Sequence, residues 1–304
     1  MGLIALGILY FVLNPVWAGY VPEVVRELTW GDGPGEVGLI PEAEGQEPQG
    51  PGALAVGPQY GIYILDTVNR RIVKLGPDGD FLGAVSLPFP ALSLCVDVDG
   101  RLYVLDPDRH RIAVYDREGT GSEYSYLTPE PLVGGALPIT RILAYRGRVW
   151  LGTYRDVYPV RLQPGSAKVA RRMEGVPGPS GMVYRVRPGE DGRTAYVEVL
   201  KDGVLYLELS VRSEGPLGTV AFLKEDGRGC VYVAAEELKI AEMGLQVRRR
   251  VLRYGPEGDL LDKVEVPIGY TYCYGGDVDV DRKGNIYHLW TLREGVRVVR
   301  WRLR

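Results

Sequence analysis

Short apolar runs separated by glycine- and aspartate-rich turns carry the pattern of this chain. Ile62-Tyr63-Ile64-Leu65 is apolar at every position, Asp66-Thr67-Val68-Asn69-Arg70 interrupts it, and Arg71-Ile72-Val73-Lys74-Leu75 follows. A short, uninterrupted apolar run bounded by turn residues predicts a strand buried on both faces. The phrase returns as Leu102-Tyr103-Val104-Leu105-Asp106 and Arg111-Ile112-Ala113-Val114-Tyr115, with Tyr63, Asp66 and Arg71 matched 40 positions later by Tyr103, Asp106 and Arg111. A repeat of roughly 40 residues made of short strands is the pattern of propeller blades.

Taken in order, residues 53–56, 62–65, 71–75 and 81–87 predict a first blade, and 91 to about 127 a second. A third is expected from strands at 141–145, 148–153 and 157–162, with 168–176 outermost. A fourth has strands at 182–187, 194–200 and 204–211 and no clear outer strand. The fifth has 219–224, 230–235, 249–254 and 260–266, interrupted by an insertion at 236–246 that holds the one candidate helical stretch, Glu236-Glu237-Leu238-Lys239-Ile240. Its turn Gly255-Pro256-Glu257-Gly258-Asp259 copies Gly76-Pro77-Asp78-Gly79-Asp80 of the first blade. The sixth has 277–280, 286–290 and 296–303 and ends one strand short, so the lone strand at 23–30 is its expected partner. Joining the two ends in one blade removes an exposed edge. The expected fold is all-β, a six-bladed β-propeller closed by an N-terminal strand completing the last blade. It forms a single domain over residues 19–304.

Residues 1–18 differ from the rest. The run 2–13 is apolar, Pro15 breaks it, and Val16-Trp17-Ala18 places small residues where a signal peptidase reads. A signal peptide or membrane anchor is expected there, although no Lys or Arg precedes the run. The run is also short for a span of about 20 residues. The protein is therefore expected to be extracytoplasmic, secreted or anchored, with membrane contact only through that segment. Net charge is −3, which offers no basic field for nucleic acid. Cys95, Cys230 and Cys273 lack metal-binding spacing and are expected as small apolar side chains, with one disulfide possible.

The pattern apolar-Tyr-apolar-x-Asp-x-x-Asn-x-Arg-Ile, present as Ile62-Tyr63-Ile64-Leu65-Asp66 with Asn69, Arg71 and Ile72, resembles the NHL-repeat type of β-propeller. The second copy keeps Asp106, Arg111 and Ile112 but has Arg109 in place of Asn69, and Asp281 to Tyr287 resembles the family's first hairpin turn. Blades three to five keep the rhythm and lose the signature. The resemblance implies a binding platform for proteins, peptides, glycans or RNA; a minority of related propellers are metal-assisted enzymes.

Three constellations bear on function. Asp66, Asn69 and Arg71, with Asp106 and Arg111, would form a charged groove or brace turns; repetition with the blades favours bracing. Asp277, Asp279 and Asp281 invite a calcium reading, but Asp97 and Asp99 repeat the pattern, which favours turn architecture. Tyr270, Tyr272 and Tyr274 precede the first strand of the last blade and are the candidate ligand-binding residues, against an alternative of packing between blades. No nucleophile elbow, Walker loop, dinucleotide fingerprint or HExxH is present. The leading expectation is a monomeric, non-catalytic recognition or scaffolding module for a protein, peptide or glycan. It needs no cofactor and no metal, and no nucleic acid is expected as a partner. The alternative is a channel-type metal-assisted propeller hydrolase or lyase, to be separated by the polarity of the channel.

Overall fold

The computed structural model describes residues 19–127, 139–153, 156–241 and 244–304. The segment expected to be a signal or anchor lies outside them. Among the described residues no helix is long and apolar enough to cross a membrane.

Strand β1 (Tyr20–Leu28) is set aside by the chain and used last. The first sheet is β2 (Ala53–Val56), β3 (Ile62–Asp66), β4 (Arg71–Leu75) and β5 (Phe81–Ser86), antiparallel in chain order. The second repeats it with β6 (Ser93–Val96), β7 (Leu102–Asp106), β8 (Arg111–Tyr115) and β9 (Gly121–Tyr126). Next come β10 (Arg141–Tyr145), β11 (Arg148–Gly152), β12 (Asp156–Gln163) and β13 (Ser166–Val169), with β14 (Met173–Glu174) also pairing with β12. These quartets merge because β13 pairs parallel with β9 at Ser166–Ser125 and Ala167–Tyr126, so two outer edges cover each other.

The fourth group is β15 (Val176–Pro177), β16 (Val183–Pro188), β17 (Thr194–Lys201) and β18 (Val204–Arg212). The fifth is β19 (Leu217–Glu225), β20 (Val231–Ala241), β21 (Gly244–Tyr254) and β22 (Leu260–Val266). Finally β23 (Val278–Val280), β24 (Ile286–Leu292) and β25 (Gly295–Leu303) join β1 in the order β1-β25-β24-β23.

β1 runs antiparallel to β25 from Tyr20–Leu303 to Leu28–Val296, with a bulge between Val24 and Arg26. The first strand thus sits outermost on the last sheet, as the hydrophobic pattern predicts, although it starts at Tyr20 and stops before Trp30. The fourth group needs correction: 182–187 is its second strand, not its first. The two-residue β15 is innermost, too short and too proline-rich to announce itself, and β18, expected as the third strand, is the outer one. Consequently the expected outer strand at 168–176 is divided, with β13 ending at Val169 and Val176 belonging to the next sheet. The expected insertion at 236–246, with its candidate helix, is instead the extended hairpin of β20 and β21. Glu237 at 1% exposure and Leu238 half-buried alternate across its base, while Ile240 is 95% exposed near its tip.

Hydrophobic clusters lie between adjoining sheets rather than at one centre. One joins Leu28, Leu289 and Val298 of the closing sheet to Leu54, Ile64 and Val73 of the first. Another joins Leu65 and Ile72 to Leu94 and Val104. This explains the apolar runs: β3 and β7 are buried on both faces because each faces a neighbouring sheet. The copied turns share one geometry, in which the N–H of Gly76, Asp116 and Gly255 donates to the carbonyl of Asp80, Thr120 and Asp259. Gly79 and Gly258 hold φ of 88° and 90°. A Cβ on Gly79 would also collide with the Val25 carbonyl, because this turn is packed against β1.

Candidate functional site

The innermost strands surround a cavity of about 440 Å³ lined by residues of β2, β6, β10, β15, β19 and β23. Such strands would leave rows of unpaired backbone groups along a channel. Between β6 and β10, side chains take them up. Ser93 Oγ, Cys95 Sγ and Asp97 Oδ1, alternate residues at and just beyond β6, accept from the N–H of Ile142, Ala144 and Arg146 at 3.2, 3.1 and 2.6 Å. Asp97 Oδ2 also accepts from Gly147 N at 2.7 Å. Burial pushes the Cys95 thiol up to about 12, so it stays a protonated, inert group. The three cysteines are free.

The three aspartates around β23 do not converge. Asp279 Oδ2 accepts from Val56 N at 2.7 Å, and both its oxygens meet Lys224 Nζ, at 2.8 and 3.0 Å. Asp281 is a turn cap: it accepts from the N–H of Lys283 and Asn285, from Asn285 Nδ2 and from the Tyr287 hydroxyl. Asp226 holds the equivalent place in the fifth sheet, accepting from Arg228 N, Cys230 N and Tyr232 Oη. Asp97, at the matching turn position, instead reaches to the neighbouring sheet. Among the described residues no group of three His, Cys, Asp or Glu side chains is placed to hold a metal ion.

Asp277 faces away from these, into a cluster the sequence did not announce. Its oxygens accept from Arg249 Nη1 and Nη2 at 2.9 and 2.5 Å, and His288 Nε2 lies 3.3 Å from Oδ2. Burial opposes its ionisation, but His288 and the Arg249 charge prevail and hold it at about 2. His288 is fully buried, and among the described residues its Nδ1 has no hydrogen-bond partner. Burial draws its pKa down against the Asp277 hydrogen bond, with the Arg249 charge adding to the effect. Arg249, Asp277 and His288 are far apart in sequence and none belongs to the repeat, so spacing gave no signal. Lys224 had one: a lone cation, followed by Glu225, at the end of the largely apolar inner strand β19.

The repeated Asp sets brace turns. Asp66 accepts from Gly38 N, Asn69 N, Asn69 Nδ2 and Arg71 Nε, while Arg71 donates to the carbonyls of Asp32, Gly33 and Glu36. Asp106 accepts from Arg109 N, and Arg111 pairs with Glu123. Arg70 and His110, closing the two turns, both have left-handed φ, 50° and 52°.

The candidate tyrosines separate into one anchored and two displayed residues. Tyr270 is half-buried, with the Arg293 guanidinium 5.3 Å from its ring centroid, and its N–H donates to Thr291 O. Thr271 is buried and its N–H donates to Thr291 Oγ1, while Cys273 packs into the cluster around Leu54. Tyr272 and Tyr274, alternating with them, stand 59% and 56% exposed with ring centroids 4.8 Å apart, edge to face. Gly275 and Gly276 continue from this loop into the cavity wall; the tyrosines themselves do not line it.

No known family model matches the chain, and no curated protein matches it in sequence. Solved structures do. A streptogramin B lyase aligns with TM-score 0.51 and 10% identity, covering 96% of this chain and 100% of that one. A member of the DUF4221 family from Bacteroides vulgatus aligns with TM-score 0.51 and 11% identity, covering 94% and 98%. A gluconolactonase from Xanthomonas campestris aligns with TM-score 0.48 and 15% identity, covering 94% and 90%. The first two are β-propellers, and with the sheets above they establish that fold for this chain. At such identity the likeness concerns the fold alone.

Proposed function

We propose that this chain is a six-bladed propeller of NHL-like pattern acting as a monomeric, non-catalytic recognition module for a protein, peptide or glycan. Dividing the nine-stranded sheet at β9 and β13 supports the blade count. The observation that carries the function is the displayed pair Tyr272 and Tyr274 on a loop pinned by Thr271 and Cys273. Rigid aromatics with one polar end bind a partner at small cost in side-chain entropy. A metal-assisted hydrolase or lyase would need acids with free lone pairs in the channel. Of the acids lining it, Asp97 and Asp279 already accept backbone N–H groups or an ammonium, and Glu225 Oε2 accepts from the Ser180 and Tyr184 hydroxyls.

The test is a screen of glycans and peptides, repeated with Tyr272→Ala and Tyr274→Ala. At least one substitution is expected to weaken the selected partner by about 2 kcal/mol, the size of an interface hot spot. Variants that bind like the parent would end this reading. Export is tested separately: protein recovered from its native host is expected to begin at or near Gly19, and soluble cytoplasmic protein retaining Met1 would refute it.

A further inference from the structure

The opposite end of the channel carries a second feature, independent of the tyrosine loop. Tyr272 and Tyr274 precede β23 and Arg282 follows it, so the two ends of this inner strand open on opposite faces. On the Arg282 side, Gly57, Pro58, Gly227 and Arg282 border both the central cavity and an adjoining pocket that also takes in Tyr60, Arg228 and Lys283. Arg228, Arg282 and Lys283 are exposed, and among the described residues no carboxylate pairs with their charged groups. The nearby acids of the same turns, Asp226 and Asp281, are buried and spend their oxygens on turn N–H groups and tyrosine hydroxyls.

Tyr60 closes this rim. Lys283 Nζ lies 4.4 Å from its ring centroid. Gln59 and Tyr60 hold left-handed φ of 63° and 64° in succession, a conformation costly for residues with side chains. Inward of the cations the wall carries Val56, Leu94, Val96, Ile142 and Val278, and the charged groups among them are engaged: Asp97 by backbone N–H groups, Asp279 by Lys224, and Glu225 Oε2 by the Ser180 and Tyr184 hydroxyls. The volume of about 440 Å³ lies within the range of small-ligand sites, roughly 300–1,000 Å³.

The geometry points to a binding site for an amphiphilic organic anion, its carboxylate or phosphate head held by Arg228, Arg282 and Lys283 and its apolar tail in the channel. The charge at the rim selects the head, since guanidinium forks match both oxyanions. The apolar wall removes the tail from water. Neither part alone suffices: a free inorganic anion leaves the channel unfilled, and a neutral tail leaves the cations unmatched.

The experiment is calorimetric titration of the protein with decanoate, decyl phosphate, decanol and inorganic phosphate, the amphiphiles kept below their micellar concentrations. Decanoate or decyl phosphate is expected to bind at least tenfold more tightly than decanol and than inorganic phosphate. The comparison of the two amphiphiles tells which head is preferred. The Arg282→Ala/Lys283→Ala double variant is expected to lose at least tenfold for the amphiphilic anions while melting at the parent's temperature. Both side chains project from a turn whose backbone bond, Gly227 N to Arg282 O, the substitutions leave in place. No binding of either amphiphile, equal binding of decanol, equal binding of inorganic phosphate, or a double variant that binds like the parent would each overturn the assignment.

Discussion

Deleting residues 20–28 is expected to leave a chain that aggregates or melts far below the intact protein. The strand supplies the whole outer partner of β25, so its loss exposes the backbone from Val296 to Leu303 as an open edge. It also removes Tyr20 and Leu28, each 3% exposed, from two different interfaces. Tyr20 packs with Tyr232 and Trp301 and donates its hydroxyl proton to Gly284 O at 2.9 Å; Leu28 packs with Leu54 and Val298. Burial of each large side chain is worth about 1.5–3 kcal/mol, against a net stability of about 5–15 kcal/mol for a whole domain. Glu23 adds ion pairs to Arg300 and Arg302. A point substitution keeps the claim measurable if the deletion does not fold. Tyr20→Ala is expected to cost about 3–5 kcal/mol, the usual range for an aromatic cut back in a core. Thermal melting followed by circular dichroism reads both, and an intact melting temperature in the deletion would show that β1 does not close the ring.

The closure was legible because its ingredients are local patterns: a strand with no partner at one end of the chain and a sheet one strand short at the other. The repeated turns were legible for the same reason, since Asp66 and Asp106 do the same capping in each copy. What the sequence hid falls into two kinds. Val176-Pro177 is a strand by position, held because Val176 pairs with Tyr184 and Pro177 with Val183, and two residues carry no periodicity. The hairpin at 236–246 misled because Glu, Leu and Lys favour helices, whereas eleven rungs of cross-strand pairing between β20 and β21 override that preference. At the site, Tyr270, Tyr272 and Tyr274 could be named but not ranked. Only the structure shows that Tyr270 is tied to Arg293 while its neighbours face solvent. The cationic rim was illegible outright: Arg228, Arg282 and Tyr60 come from three turns that meet only in the fold.

Arg249→Met is expected to be the most damaging single substitution away from β1, at about 3–5 kcal/mol near neutral pH, because it strips a buried carboxylate of its cation. Methionine retains an apolar stem, so packing loss is small and the charge effect is isolated. The pH profile then identifies the cluster. In the parent, His288 is neutral in the folded state with its pKa drawn below the usual 6.5, so on acidification below about that value the unfolded chain takes up the proton first and stability falls. Asp277, held at about 2 against an ordinary 3.8, adds stability that is present above the ordinary value and disappears as pH drops toward 2. Both effects make acid destabilising. Removing Arg249 takes away a charge that disfavours His288 protonation, and His288 is then free to become the cation facing Asp277. The deficit of the variant should therefore shrink as pH is lowered from about 8 to about 5, where the histidine substitutes for the arginine. Urea unfolding of parent and variant across that range is the measurement. A deficit that stays constant with pH would uncouple His288 from Arg249, and one below about 1 kcal/mol throughout would mean that the Asp277 carboxylate is satisfied without its guanidinium.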